Sequence, residues 1–156
     1  MFRGMRRFSQ KLPKEECEEL LREQRRGVLA VLGDEGYPYA VPLNFLYQDG
    51  SLFFHSAQTG HKLDAIAACD KASFCVTEQG VQEPGAWWYH VRSVIAFGRV
   101  SRVTDPQRID GILRALAQKY FPPSEDVDAD IRRNGGRVAI LELRVEHLSG
   151  KHVREK

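Results

Sequence analysis

Residues 39–66, YAVPLNFLYQDGSLFFHSAQTGHKLDAI, decide the fold. Asp49-Gly50 lies between two apolar runs, and both residues tolerate positive φ, so the pair marks a tight hairpin turn. Ser51–Ser56 is then the returning strand. Small and polar residues follow, and residues 59–69 read as a helix with Leu63, Ile66 and Ala67 on one face and Thr59 as its cap. Pro42 cannot donate to a β ladder, so the incoming strand sits at a sheet edge, carries a bulge, or leaves the pairing there.

Upstream, Pro13 followed by Lys14-Glu15-Glu16 opens a helix, with carboxylates at its positive end. Leu12, Cys17, Leu20 and Leu21 give it an apolar stripe, and Arg25-Arg26-Gly27 stops it. Residues 28–32 form a buried strand, 33–36 a turn, and 37–47 the strand that enters the hairpin. Downstream, residues 72–77 form another strand and 79–85 a loop. A long strand over 88–103 carries a bulge or bend at Gly98. Asp105-Pro106 opens a helix running to Tyr120, with Ile109, Ile112, Leu113 and Leu116 facing the core. Phe121-Pro122-Pro123 ends it. An acidic, polar connection leads to about residue 133, and residues 137–147 close the chain as a strand with Ala139, Leu141, Leu143 and Val145 alternating. This order lacks the regular βαβ rhythm of a doubly wound sheet. The expected architecture is mainly β, an antiparallel barrel with flanking helices, in a single domain over 1–156 whose first eight residues are flexible.

Composition narrows the function classes. With 156 residues, 42% apolar and 28% charged, the chain can bury a core without disulfides. Lys and Arg number 23 against 21 Asp and Glu, which gives no electrostatic footprint for nucleic acid. The basic start MFRGMRRF reads as a solvated end. No apolar run approaches the ~20 residues of a membrane span, and no signal peptide is evident. Three cysteines without CxxC spacing suggest ordinary thiols in a reducing, cytoplasmic setting. His55, His61 and His90 show no metal-ligand spacing, and no nucleophile elbow, P-loop or dinucleotide glycine motif occurs.

Chemistry concentrates at the strand-to-helix junction. Ser56, Thr59, Gly60, His61 and Lys62 surround a helix start, where free amides and the dipole favour an anion. Lys62 in the first turn opposes that dipole unless an anion joins it; a solvated lysine is the alternative. Val41-Pro42-Leu43-Asn44 could present free backbone groups to a planar ring, or simply shield a sheet edge. His55 could position a substrate or donate a proton, or be structural. Trp87, Trp88 and Tyr89 suit a core, an interface or a pocket wall, and Arg92 an anion, an interface carboxylate or solvent.

The runs VPLNF (41–45), DGSLFFHSAQTGHK (49–62) and WYHVRSVIAFGRV (88–100) resemble the pyridoxamine 5′-phosphate oxidase-like FMN-binding split barrels, and within them the branch that includes the nitroimidazole-resistance (Nim) proteins. The resemblance implies an FMN cofactor contacted by Val41, Pro42, Leu43 and Asn44 along the ring. It places His55 and Ser56 beside ring and phosphate, with His55 as the catalytic candidate. His61 and Lys62 would hold the phosphate, and Ser93 would reach the flavin from a second subunit. It also implies a homodimer with FMN at the interface and a small-molecule substrate. The chain departs from the oxidases in using His-Lys where they use Arg-Lys, and in ending EHLSGKHV instead of their tryptophan-to-arginine signature. The residues that grip pyridoxal phosphate have no counterparts, so that substrate does not carry over. The expected activity is an FMN-dependent oxidoreductase acting on a small molecule, nitroimidazole-type compounds included. A flavin sensor or carrier is the alternative, as is the same barrel holding a deazaflavin or haem.

Overall fold

A computed structural model describes residues 1–154, so the last two residues of the expected domain, Glu155 and Lys156, lie outside the described residues. In chain order the elements are α1 (Lys14–Glu23), β1 (Gly27–Leu32), β2 (Pro38–Leu43), β3 (Leu46–Gln48), β4 (Ser51–Ser56), α2 (His61–Ala68), β5 (Lys71–Thr77), β6 (His90–Arg102), α3 (Pro106–Tyr120), α4 (Glu125–Asn134) and β7 (Ala139–Arg154). The strands form one seven-stranded sheet in the order β2-β1-β5-β6-β7-β4-β3. Every pairing is antiparallel.

The two edge strands are neighbours in the chain. β2 ends at Leu43 and β3 begins at Leu46. Three Cα steps span at most about 11 Å, so the sheet must curl until its edges nearly meet. No ladder joins β2 to β3. The result is a mainly antiparallel β half-barrel with flanking helices, the split-barrel architecture. The expected continuous strand over 37–47 is therefore interrupted at Asn44-Phe45, where the chain crosses from one edge to the other.

Tyr120, the last residue of α3, spans this seam. The Phe45 N–H donates to its hydroxyl at 2.9 Å. The hydroxyl lies 2.6 Å from the Arg25 carbonyl and 2.9 Å from that of Phe45, and its single proton can serve either acceptor. Arg25 returns a hydrogen bond to the Tyr120 carbonyl at 3.1 Å. Lys119 stands beside this clamp with Nζ 4.0 Å from the centre of the Phe45 ring. That ammonium is buried and has no hydrogen-bond partner among the described residues. Burial, with Arg25 adding repulsion, pushes it down to about 8.

β4 and the start of β7 are buried on both faces. Phe45, Phe54 and Phe74 meet inside the barrel with ring centroids 4.9 and 5.0 Å apart. Each such ring contributes about 1.5–3 kcal/mol by leaving water. On the outer face, Phe53 and Ile140 pack under Ile112 and Leu116 of α3. The Asp105 side chain caps α3 by accepting from the Gln107 N–H, as expected of Asp-Pro. Asp49 and Gly50 make the hairpin turn with φ of 51° and 76°.

Two expectations fail on helix and strand extent. The acidic connection is helical as α4: Ser124 caps it by accepting from the Val127 N–H, and Glu125, Asp126 and Asp128 suit its positive end. The last strand runs to Arg154 instead of residue 147, because the bulge at Phe97/Gly98 leaves Glu146 unpaired and the ladder then continues. Beyond it, Gly150 lies so close to α1 that an added Cβ would collide with Cys17 Sγ and stand 2.9 Å from Leu12 Cβ.

Replacing Tyr120 by Phe should cost about 1–3 kcal/mol in urea unfolding, because the Phe45 N–H loses its acceptor. An unchanged midpoint would remove the hydroxyl from the seam's energetics. Replacing Lys119 by Met should stabilise the protein at pH 7 by roughly 1–2 kcal/mol: a burial penalty of about 3 kcal/mol exceeds the cation–π attraction with Phe45. The folded-state value lies below the unfolded one, so the penalty is full below pH 8 and fades as pH rises toward 10.5. Paired unfolding curves at pH 7 and pH 10 should show the advantage shrinking.

Candidate functional site

Ser56 ends β4 buried, paired with Ala139. The chain then enters α2 through Gly60 at φ 134° and ψ 168°, a conformation that favours glycine. Gly60, and not Thr59, is the cap residue, and no side chain caps this helix. Thr59 stands one residue too early to reach the first amides. The Gly60 carbonyl accepts from the Leu63 and Asp64 N–H groups, at 2.9 and 3.1 Å. The helix start thus keeps amides that no protein side chain satisfies.

Lys62 sits half-buried in this first turn, and burial alone pulls its pKa below the ordinary lysine value. No carboxylate pairs with it among the described residues. His61 is differently engaged: its ring stacks on Tyr39 of β2 at 4.2 Å, and Nε2 lies 3.6 Å from Asp34 Oδ2. A flavin's phosphate fits this set. The uncapped amides and the partly dehydrated Lys62 both lack an anion, and one dianion satisfies both.

The ring-side candidates divide between two places. On β2, Tyr39, Val41 and Leu43 alternate inward while Pro42 stays exposed. β2 is an edge strand, so alternate backbone groups face away from the sheet without a strand partner. Asn44 follows, its Oδ1 accepting from Arg26 Nε at 3.2 Å. His55 is exposed and pairs with Ile140, which puts it on the α3 side of β4, the face opposite Ser56. Asn44 and His55 both line a cavity of about 470 Å³ closed over by α3 and α4. Ser93 stands apart from this group within the chain. Its cross-strand neighbours are Thr77 and Lys151. Three strand steps separate β6 from β2, about 14 Å.

Other candidates resolve plainly. Arg92 is committed to Glu78 at 3.0 Å and Glu23 at 3.7 Å, and holds Glu78 below the usual carboxylate range. Trp87 is 76% exposed and meets Trp88 edge to face at 5.8 Å. His90 lies near His152, so the three histidines occupy three different places. All three cysteines are free, Cys75 exposed. No helix among the described residues is long and apolar enough to cross a membrane, which says nothing of strands. Sequence reasoning missed Tyr39 and Asp34 as partners of His61, and α4 as a cavity wall. An aromatic at an inward position of a proline-bearing edge strand was the available signal for Tyr39.

A family model described as pyridoxamine 5′-phosphate oxidase matches residues 13–152. No curated protein matches the sequence. Among solved structures, a conserved hypothetical protein from Mycobacterium tuberculosis superposes with a TM-score of 0.82 at 13% identity, covering 98% of this chain and 96% of that one. A candidate 5-nitroimidazole antibiotic resistance protein from Bacteroides thetaiotaomicron gives 0.76 at 20% identity, covering 91% and 86%. A protein described as FAD-binding, from Mesorhizobium loti, gives 0.67 at 24% identity, covering 92% and 97%. At these identities the likeness is one of fold.

Proposed function

The chain belongs to the pyridoxamine 5′-phosphate oxidase family, and from that premise we propose that it is a cytoplasmic, homodimeric FMN-dependent oxidoreductase acting on a small molecule, with nitroimidazole-type compounds in its range. The observation that carries the reading is Lys62, a half-buried ammonium at an uncapped helix start with no carboxylate partner among the described residues. A phosphate monoester is the ligand such a site suits. Bound FMN would supply two-electron or one-electron reduction of an acceptor. The protein's own share is binding and orientation. Lys62 and the α2 amides hold the phosphate, and His61, steadied on Tyr39, borders it. The free edge of β2 from Val41 to Asn44 supplies backbone groups for the ring. Ser56 ends the strand beside this cradle, and His55 at the cavity wall is placed to orient or protonate a substrate.

Ser93 enters through a second copy. The outward face of β1, β5 and β6 carries Val28 and Ile95, each 38% exposed, beside exposed Cys75. Ser93 belongs to the same face, and exposed Trp87 and Tyr89 adjoin it. An apolar sheet face of this kind suits an isologous contact that would carry each Ser93 toward the partner's cradle. Free thiols fit a reducing compartment.

Purified protein should be yellow, and acid should release FMN; release of FAD, or failure to take up added FMN, would sink the cofactor assignment. Lys62→Ala should weaken FMN binding about 10–100-fold and leave riboflavin nearly unchanged, read by fluorescence quenching. Equal loss of both would argue against a phosphate role. The anaerobically reduced protein should be reoxidised by a 5-nitroimidazole faster than in its absence; no acceleration would favour a carrier or sensor. Ile95→Arg should convert a dimer to a monomer in sedimentation and lower flavin retention.

A further inference from the structure

Lys119 is a buried cation that the proposed function leaves unused. A lysine in the last turn of a helix ordinarily reaches the free carbonyls there, or water. Lys119 does neither. The residue is half-buried, but its Nζ is sealed from solvent and donates to nothing among the described residues. It rests on the Phe45 ring, 4.0 Å from the centre, and lies 5.7 Å from the ring of Tyr120. A ring face is a single partner for a group with three N–H donors.

The surroundings offer the ammonium no counter-charge. Arg25 faces it from the connection between α1 and β1 and adds repulsion. Arg26, next in that connection, is turned to Asn44 at 3.2 Å. The crossing itself, Asn44-Phe45, is uncharged, and no carboxylate pairs with Lys119 among the described residues. Tyr120 does not titrate in its place near neutral pH, because burial pushes its phenol up.

Position gives this amine leverage. Tyr120 is the next residue, and its hydroxyl holds the Phe45 backbone, 2.9 Å from both N and O. Phe121 follows, its N–H donating to the Ala117 carbonyl at 2.8 Å. Asn44, Tyr120 and Phe121 all line the cavity of about 470 Å³. The turn of α3 that carries Lys119 therefore closes the seam and one wall of the cavity together.

We infer that Lys119 is a proton-operated latch on the seam: the neutral amine packs on Phe45 and keeps the seam shut, while the ammonium leaves for water and lets the last turn of α3 lift from the Asn44-Phe45 crossing. The latch stands independently of the flavin reading. Linkage fixes its direction. The closed form holds the amine at about 8, against 10.5 for an ordinary lysine in water. Opening is thus most populated below pH 8 and recedes by about tenfold per pH unit between the two values.

Residue-resolved amide hydrogen exchange tests this on the protein as purified, with each rate corrected for the intrinsic rate at that pH. Protection of the Phe45 and Phe121 amides should rise about tenfold from pH 7 to pH 9. It should stay below that of Leu141 and Leu143 in β7, whose exchange reports global unfolding. Lys119→Met should raise protection at Phe45 about tenfold at pH 7 and abolish its pH dependence, with a melting curve confirming that the variant folds. Lys119→Arg, charged throughout, should leave Phe45 weakly protected at both pH values. Protection at Phe45 that is flat with pH, that equals Leu141 and Leu143 at both pH values, that still varies with pH in Lys119→Met, or that is high in Lys119→Arg would each overturn the inference.

Discussion

Two residues, Asn44 and Phe45, separate strands that lie at opposite edges of a seven-stranded sheet. That short tether is the constraint on which the rest of the molecule depends. It forces the sheet to curl and gives it an interior for Phe45, Phe54 and Phe74. It also leaves a seam where no ladder can form. The seam is closed by one hydroxyl, that of Tyr120, which meets the backbone of Phe45 and the carbonyl of Arg25. Because Tyr120 belongs to α3, the same contact fixes α3 over β4 and so determines where the cavity opens. The split and the site share one anchor.

Much of this was legible in the chain. Asp49-Gly50, the β-branched runs and Asp105-Pro106 mark their elements locally, because turn chemistry and capping act within a few residues. Pro42 left an edge, a bulge or an exit from pairing open, and the sheet order selects the edge. The seam was not legible: nothing in the run YAVPLNFLY says that its two halves pair at opposite edges of the sheet, since that choice belongs to distant partners, β1 and β4. The helix α4 was overlooked because its acidic, polar composition hides a short stripe of Val127 and Ile131. Its Ser124 cap and its acid-to-base charge order were the readable signs. The closing strand was cut short at residue 147 because inward positions change from odd to even there, and a period-two reading ends where the alternation does.

The candidate site was readable in kind but not in layout. Lys62 stood out in sequence because a cation opposes the dipole at a helix start, and burial strengthens that conflict. His61 was expected to act with it, yet it is stacked on Tyr39 and turned to Asp34. His55 and Ser56, adjacent in sequence, lie on opposite faces of β4, as strand alternation requires. One of them looks into the barrel and the other into the cavity under α3 and α4. A functional pair read from adjacency is thus divided by the geometry of the strand that carries it.

Glu146 gives the bulge a consequence for how this sequence can vary. It acts as a one-residue phase shift in β7: before it Leu141 and Leu143 point inward, and after it Leu148 and Gly150 do. Removing that residue would leave Val145 opposite Gly98 and His147 opposite Phe97 as direct neighbours, so the ladder would run regular and Gly150 would keep its place opposite Val94. Lineages of this protein can therefore lose the residue at 146 without breaking the ladder, and would give up the bend of the bulge and the ion pair with Arg99 at 3.2 Å.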